Sequence, residues 1–310
     1  ATFAEIKDSE AAMLWTGIMA NAKNLSPDVA KLIFVFALIG FGTKAGLAPT
    51  HTWLPDVHAQ GPAPISALLS GVLLKCAMLA LFRYYAIAAQ ATGMEFVQSV
   101  MVISGLITLF VGGIFLIRQH DVKRMFAYHS IVHMGVIAFA LGVGGPFGLF
   151  AAIFHCLAHS FTKALAFCST GNIARIYGHK DMTKMGGMVK IAPITTMMFG
   201  AAVCSLVGVP AFAIFVSEYN VFVGAINSGQ YFSVALFAIA LAIIFIADFS
   251  HFNMASFGEP KAAVVHNKEM SIVENLPLIL LCALIIIFGV WHVENFYALV
   301  NEGVKIMMGV

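Results

Sequence analysis

The chain has 310 residues, 60% of them hydrophobic and 10% charged, with a net charge of +2 and a mean hydropathy of +0.91. A soluble domain carries about 25% charged residues, so this composition excludes one, and no basic stripe marks a nucleic-acid surface. Apolar runs of about 20 residues, the length a membrane span needs, recur without alternation, so helices rather than barrel strands are expected.

The predicted fold class is all-α, a polytopic membrane helix bundle of about eight transmembrane helices. Residues 1–28 form a polar, amphipathic N-terminal segment without an initiator methionine, which reads as a break in a longer protein; residues 29–310 form the membrane domain. The first predicted span, about 29–50, runs from Lys31 to Gly42 and Lys44, and Gly42, Gly46 and Pro49 then break it. His51, Asp56 and His58 lie in the broken part. The second span, about 64–90, carries Lys75, a charge with no evident partner in the sequence. A lysine at bilayer depth costs about 2.5–3.5 kcal/mol on insertion scales, so Lys44 and Lys75 beside a discontinuity near 42–65 point to a proton or ion path. The plain alternative is a snorkelling Lys44 and a packed polar contact at Lys75.

The third and fourth spans are predicted at about 97–117 and 125–143, with Asp121, Lys123 and Arg124 at an interface. The fourth places His129 and His133 four residues apart. Gly144, Gly145 and Pro146 turn the chain into the fifth span, about 147–174, where His155, His159 and Lys163 follow at i, i+4 and i+8 on one face. Such a set can pass protons, because histidine titrates near neutrality. Packing histidines with satisfied hydrogen bonds are the alternative. Zinc is disfavoured, since no H-E-x-x-H or thiol at ligand spacing accompanies the pairs.

The sixth span, about 191–223, is interrupted at 208–212 by Gly208 and Pro210, and Glu218 follows as the one acid expected well inside the membrane. The seventh is predicted at about 230–250, with Asp248 as a solvated interface charge. A polar loop from His251 to Glu274 leads to the eighth, about 275–298. Cys76, Cys156, Cys168, Cys204 and Cys282 lie in apolar runs with no C-x-x-C pair, so no cofactor is assigned to this chain. Arg118, Lys123, Arg124, Arg175, Lys180, Lys184, Lys190, Lys261 and Lys268 fall on one side; Lys7, Lys23, Lys31, Arg83 and Lys305 fall on the other. The positive-inside rule makes the first side cytoplasmic, with both termini outside.

GTKAGLAPTHTWLPDVHAQGPAPISALLSGVLLK, DVKRMFAYHSIVHMG, HCLAHSFTKALAFCSTGNI and GVPAFAIFVSEY occur in that order. Together they resemble the antiporter-like proton-channel subunits of respiratory complex I and of group 4 membrane-bound hydrogenases of the formate hydrogenlyase type. The resemblance runs from about Leu14 onward. It implies a fourteen-helix fold of two inverted repeats, of which this chain matches the last eight helices. It also implies that Lys44, Lys75, the His155–His159–Lys163 set and Glu218 lie on the proton path; the sequence itself adds His129 and His133 to that path, and His51, Asp56 and His58 as loop contributors. The glutamate that partners the first lysine in that family has no counterpart here.

The implied function is a proton-translocating membrane subunit of a redox-driven complex. The implied partners are other membrane subunits, lipid, a soluble hydrogenase or dehydrogenase arm, and a separate polypeptide supplying the missing N-terminal helices. Iron–sulfur clusters, and nickel–iron in a hydrogenase, would reside in those partners, and the setting would be the inner membrane. A subunit of a Na⁺/H⁺ antiporter complex and a non-conducting structural subunit are the competing readings.

Overall fold

Helix ends fall where glycine, proline and capping side chains dictate. The computed structural model describes residues 14–261 and 268–309; the first thirteen residues of the expected amphipathic segment, with Lys7, lie outside them. A short helix α1 (Trp15–Ala20) precedes α2 (Pro27–Ala45), which starts with proline at its first position and ends on Gly46 in the left-handed conformation. Helix α3 (Trp53–Gln60) continues the broken segment. Helix α4 (Ala63–Thr92) contains a π-helical turn, Leu69–Leu73.

Next come α5 (Met94–Ile117) and α6 (Val122–Val143), the latter capped by Asp121, whose carboxylate accepts from the amides of Lys123 and Arg124 at 2.8 and 3.0 Å. Helix α7 (Gly145–Tyr177) follows the double-glycine turn and ends at a left-handed Gly178. The four-residue α8 (Met188–Ile191) leads to α9 (Pro193–Leu206) and α10 (Ala213–Asn227), and then α11 (Tyr231–Ser256), α12 (Leu276–Val290) and α13 (Glu294–Met308).

Among the described residues, α4, α5, α6, α7 and α11 are long and apolar enough to cross a membrane alone. Five of the eight expected spans coincide with these continuous helices, and the expected first, sixth and eighth are each interrupted. Helix α2 carries Asp28, Lys31 and Lys44 and stops at Ala45, five residues short of the expected end, because the chain turns at Gly46. Residues 207–212 separate α9 from α10, and α10 runs on to Asn227. The last expected span stops at Val290, and α13 departs at a bend of 71°.

A further correction has functional weight. Helix α11 persists to Ser256, so residues 251–256 are helical rather than loop, there being no glycine or proline before Gly258. This lengthening carries Asp248 into the bundle, where it is fully buried, not at a solvated interface.

Helix α6 occupies the centre: every residue from Val122 to Val143 except Arg124 is buried. Small residues let α5 approach it. A methyl added at Gly105 would stand 2.5 Å from the Phe139 amide nitrogen, and one at Gly142 would stand 2.4 Å from that of Val102.

At one end of the bundle, Val122 N–H donates to Lys180 O at 3.0 Å, Met182 N–H to His120 O at 2.8 Å and Gly187 N–H to Phe257 O at 3.0 Å. The loops bearing Arg118, Lys180, Lys184 and Lys261 thus share one lysine-rich face. Lys180 also donates to Ala59 O, and Lys123 to Gly61 O, closing the C-terminal end of α3 with cations. At the opposite end Gln230 Nε2 donates to Val143 O at 3.3 Å.

Candidate functional site

The π-helical turn sets the position of Lys75. It displaces the carbonyls of Ser70 and Gly71 from the regular ladder, and both find side-chain donors. Lys75 Nζ donates to Ser70 O, and Ser160 Oγ on α7 donates to Gly71 O. Lys75 Nζ also meets His159 Nδ1, a partner 84 residues away. Ser70 Oγ and Ser130 Oγ, 2.7 Å apart, tie the same turn to α6. π-turns of this kind are frequent at functional sites.

From His159 a line of rings continues. The His133 ring lies 4.8 Å from that of His159 and 5.1 Å from that of His155, centroid to centroid. His133 Nδ1 and His155 Nε2 are 2.9 Å apart, and His155 Nδ1 is 2.8 Å from Ser217 Oγ on α10. Ser217 in turn donates its hydroxyl hydrogen to Ile214 O at 2.7 Å. With that proton committed, His155 donates from Nδ1 to Ser217 and accepts at Nε2 from His133 Nδ1–H. All three imidazoles are buried.

His133 from α6 packs against both α7 histidines, whose own rings stack with centres 6.1 Å apart, so the three imidazoles form a triangle.

At the other end of the line, the His129 ring stacks on His133 at 5.8 Å. His129 Nε2 meets Asp248 Oδ2 in a fully buried pair. Glu218 is therefore not the sole interior acid. Lys163, wholly buried, donates to Phe126 O at 2.6 Å, with its ammonium 5.5 and 5.7 Å from the Phe126 and Phe167 ring centres. It belongs with His129 and Asp248, toward the lysine-rich face. Glu218 adjoins Ser217 toward the opposite end, and its Oε1 has no hydrogen-bond partner. Lys163 and Glu218 are thus not neighbours; along α7 the residues His159 and His155 separate them.

The remaining expected residues stand apart from this cluster. Lys44 is exposed on α2, with its ammonium 5.4 Å from the Trp53 ring centre. Asp56 pairs with Arg124 at 2.6 Å on the surface, a contact worth about 0–1 kcal/mol. The His51 ring packs 6.4 Å from Phe115. His58 is buried, stacks on Phe167 at 4.9 Å, and has no hydrogen-bond partner at either nitrogen. It shares that ring with Lys163 but makes no hydrogen bond to the relay. Among the described residues no group of three His, Cys, Asp or Glu is placed to hold a metal ion.

Sequence patterns miss Asp248, Ser217 and the π-turn serines. The one available signal for Asp248 is the absence of a breaker before Gly258.

Residues 12–244 match the family described as NADH:quinone oxidoreductase/Mrp antiporter, TM. The Hydrogenase-4 component F homolog of Methylacidiphilum infernorum is 35% identical over 83% of this chain and 54% of its own length. A Na(+)/H(+) antiporter protein of Alkalihalophilus pseudofirmus is 32% identical over 84% of this chain and 53% of its own. A chain of the membrane-bound sulfane sulfur reductase, an archaeal respiratory membrane complex, superposes with a TM-score of 0.83 at 26% identity, over 94% of this chain and 59% of that one. The chain thus spans about half the length of the curated relatives it matches.

Proposed function

Because the chain belongs to the NADH:quinone oxidoreductase/Mrp antiporter transmembrane family, we propose that it is the proton-translocating membrane subunit of a redox-driven complex. One observation carries this reading. Buried titratable groups in ring or polar contact run from Asp248 through His129, His133 and His159 to Lys75, and a second arm leads from His133 through His155 to Ser217, beside Glu218. Isolated buried polar groups cost about 1–3 kcal/mol each when unpaired, so a packing role alone gives no reason to gather so many.

The pathway groups are Lys75, His129, His133, His155, His159, Lys163 and Glu218. Lys44 would join through a carboxylate supplied by another segment or polypeptide, a role that its exposure supports. Redox centres (iron–sulfur clusters, and nickel–iron in a hydrogenase) would sit in soluble partner subunits. Their turnover would change the field at Lys75 and the histidines. A pKa shift of one unit corresponds to about 1.4 kcal/mol, so modest movements of charge suffice.

The lysine-rich face would be cytoplasmic and the membrane the inner one. A reporter inserted in the Gly258–Lys261 loop should behave as cytoplasmic; an external signal there reverses the direction of the path.

In membranes containing the chain and its partner subunits, Lys75→Ala should leave assembly intact and lower coupled proton movement about tenfold or more. Full pumping by that variant removes the reading. Exchange of Na⁺ for H⁺ is the second reading, favoured by the antiporter relative and by the free Glu218 oxygen. Transport that requires Na⁺ in vesicles would select it.

A further inference from the structure

We propose that Asp248 and His251 on α11 form a proton-access branch joining the histidine relay to the lysine-rich face. This rests on reading the relay as a proton path. The first observation is the state of Asp248. It is fully buried, its Oδ2 closely approaches His129 Nε2 without an aligned hydrogen bond, and its Oδ1 has no hydrogen-bond partner. Two lone pairs would repel at that approach, so it calls for one proton held by the nitrogen or the oxygen. The free Oδ1 is then the natural place for a second proton to arrive.

The second observation is depth. Asp248 lies eight residues before the end of α11 at Ser256, and His129 seven residues after the start of α6. At 1.5 Å per residue both stand about 10–12 Å inside the lysine-rich end. His251 is one helical turn closer to that end, on the same side of α11 as Asp248.

The third observation is a cavity. His251, with Ala247, Ser250, Ile243, Ile246 and Ile117, lines a surface cleft of about 320 Å³. Ile117 is the last residue of α5, so the cleft runs from the end of that helix along α11, past His251 and as deep as Ile243. His251 itself is buried, and its Nδ1–H donates to Ala247 O at 2.6 Å. That bond fixes the tautomer and leaves Nε2 as the atom that takes up a proton.

Three other elements face the carboxylate or its neighbours. His129 approaches from α6, Lys163 from α7 lies within electrostatic range of Asp248, and His251 lies within range of His129. Charge and protons balance along the transfer. His251 Nε2 binds a proton from water in the cleft and becomes an imidazolium. It gives that proton to Asp248 Oδ1. The proton already held by the pair goes fully to His129, whose Nδ1, buried and unpartnered, releases one toward His133. His251 and the Asp248–His129 pair end at their starting net charge, with the pair's proton now on Oδ1, and the positive charge has moved to His133 for passage onward.

The test uses the assembled complex in inside-out vesicles, with Lys75→Ala as the reference for the relay. Asp248→Asn keeps the size of the side chain and removes its titration, and it should lower proton uptake about tenfold or more with assembly intact. Asp248→Glu should recover part of the loss. His251→Ala should slow uptake severalfold, and imidazole added at the lysine-rich face should restore it, an effect that no structural role would produce.

Full uptake by Asp248→Asn, while Lys75→Ala stops transport, overturns the branch and leaves the relay standing. Full uptake by both variants overturns the relay and the branch with it. Failure of imidazole to rescue His251→Ala overturns the mouth of the branch. Should Asp248→Asn fail to assemble, Asp248→Glu and the imidazole rescue decide.

Discussion

The bundle contains two broken segments that finish differently. In the first, α2 ends on Gly46 and restarts as α3; in the second, α9 stops at Leu206 and α10 begins at Ala213. Both turn on a glycine in the left-handed region, Gly46 at φ 83° and Gly208 at φ 70°. Both put an ionisable group nearby, but Lys44 is exposed whereas Glu218 is buried against its own break. A broken helix supplies unpaired backbone groups and a place for a charge; whether that charge operates depends on what closes around it. Around Glu218 this chain supplies Ser217 and His155. Around Lys44 it supplies the face of Trp53 and, among the described residues, nothing acidic in contact.

The largest expected effect tests the buried break. Glu218→Gln preserves size and most hydrogen bonding, and it should lower coupled proton movement about tenfold or more. Lys163→Ala should do likewise, and the double variant should be little worse than either, because one broken link already stops a series path. Additive losses would place the two residues on separate routes, Lys163 on α7 beside Phe126 and Glu218 on α10 next to Ser217.

A smaller effect separates the two glycines. Alanine at either position costs about 1–2 kcal/mol for the left-handed backbone. At Gly46 the new methyl would also stand 2.6 Å from the Leu54 Cδ1 atom, the end of a side chain that can turn away. At Gly208 it would stand 2.1 Å from the Glu218 Oε2 atom. Similar losses of thermal stability are therefore expected, with transport falling much further in Gly208→Ala. Equal transport in both variants would mean that the carboxylate position does not matter.

The smallest effect belongs to Lys44→Ala. In the detergent-solubilised chain its unfolding should stay within about 0.5 kcal/mol of the parent, as for an exposed side chain. A larger loss would show that the Trp53 contact, not an external partner, is what Lys44 serves.

The two breaks are legible in the sequence because glycine and proline act locally. So is the alignment of His129 with His133 and of His155 with His159 and Lys163, since i, i+4 spacing is a property of one helix. The contacts that turn those residues into a line are not legible. Lys75 finds His159 across 84 residues, and His133 packs against two histidines of another helix. Asp248 escapes for a different reason: the polar run after it reads as a loop, whereas α11 stays helical until Gly258. The π-turn leaves no composition signal at all, because serine and glycine such as Ser70 and Gly71 are as common in an ordinary membrane helix.

Helix α6 is buried throughout its most apolar stretch and is less apolar than α5 and α11, which bury only 39% and 33% of theirs. Biogenesis should reflect this. A helix bearing His129, His133 and Ser130 gains little from entering lipid alone, and its glycine-lined face already fits α5. The two should therefore leave the insertion machinery as one hairpin. In an insertion assay, α6 presented without α5 should remain largely outside the bilayer, and restoring α5 ahead of it should carry it in.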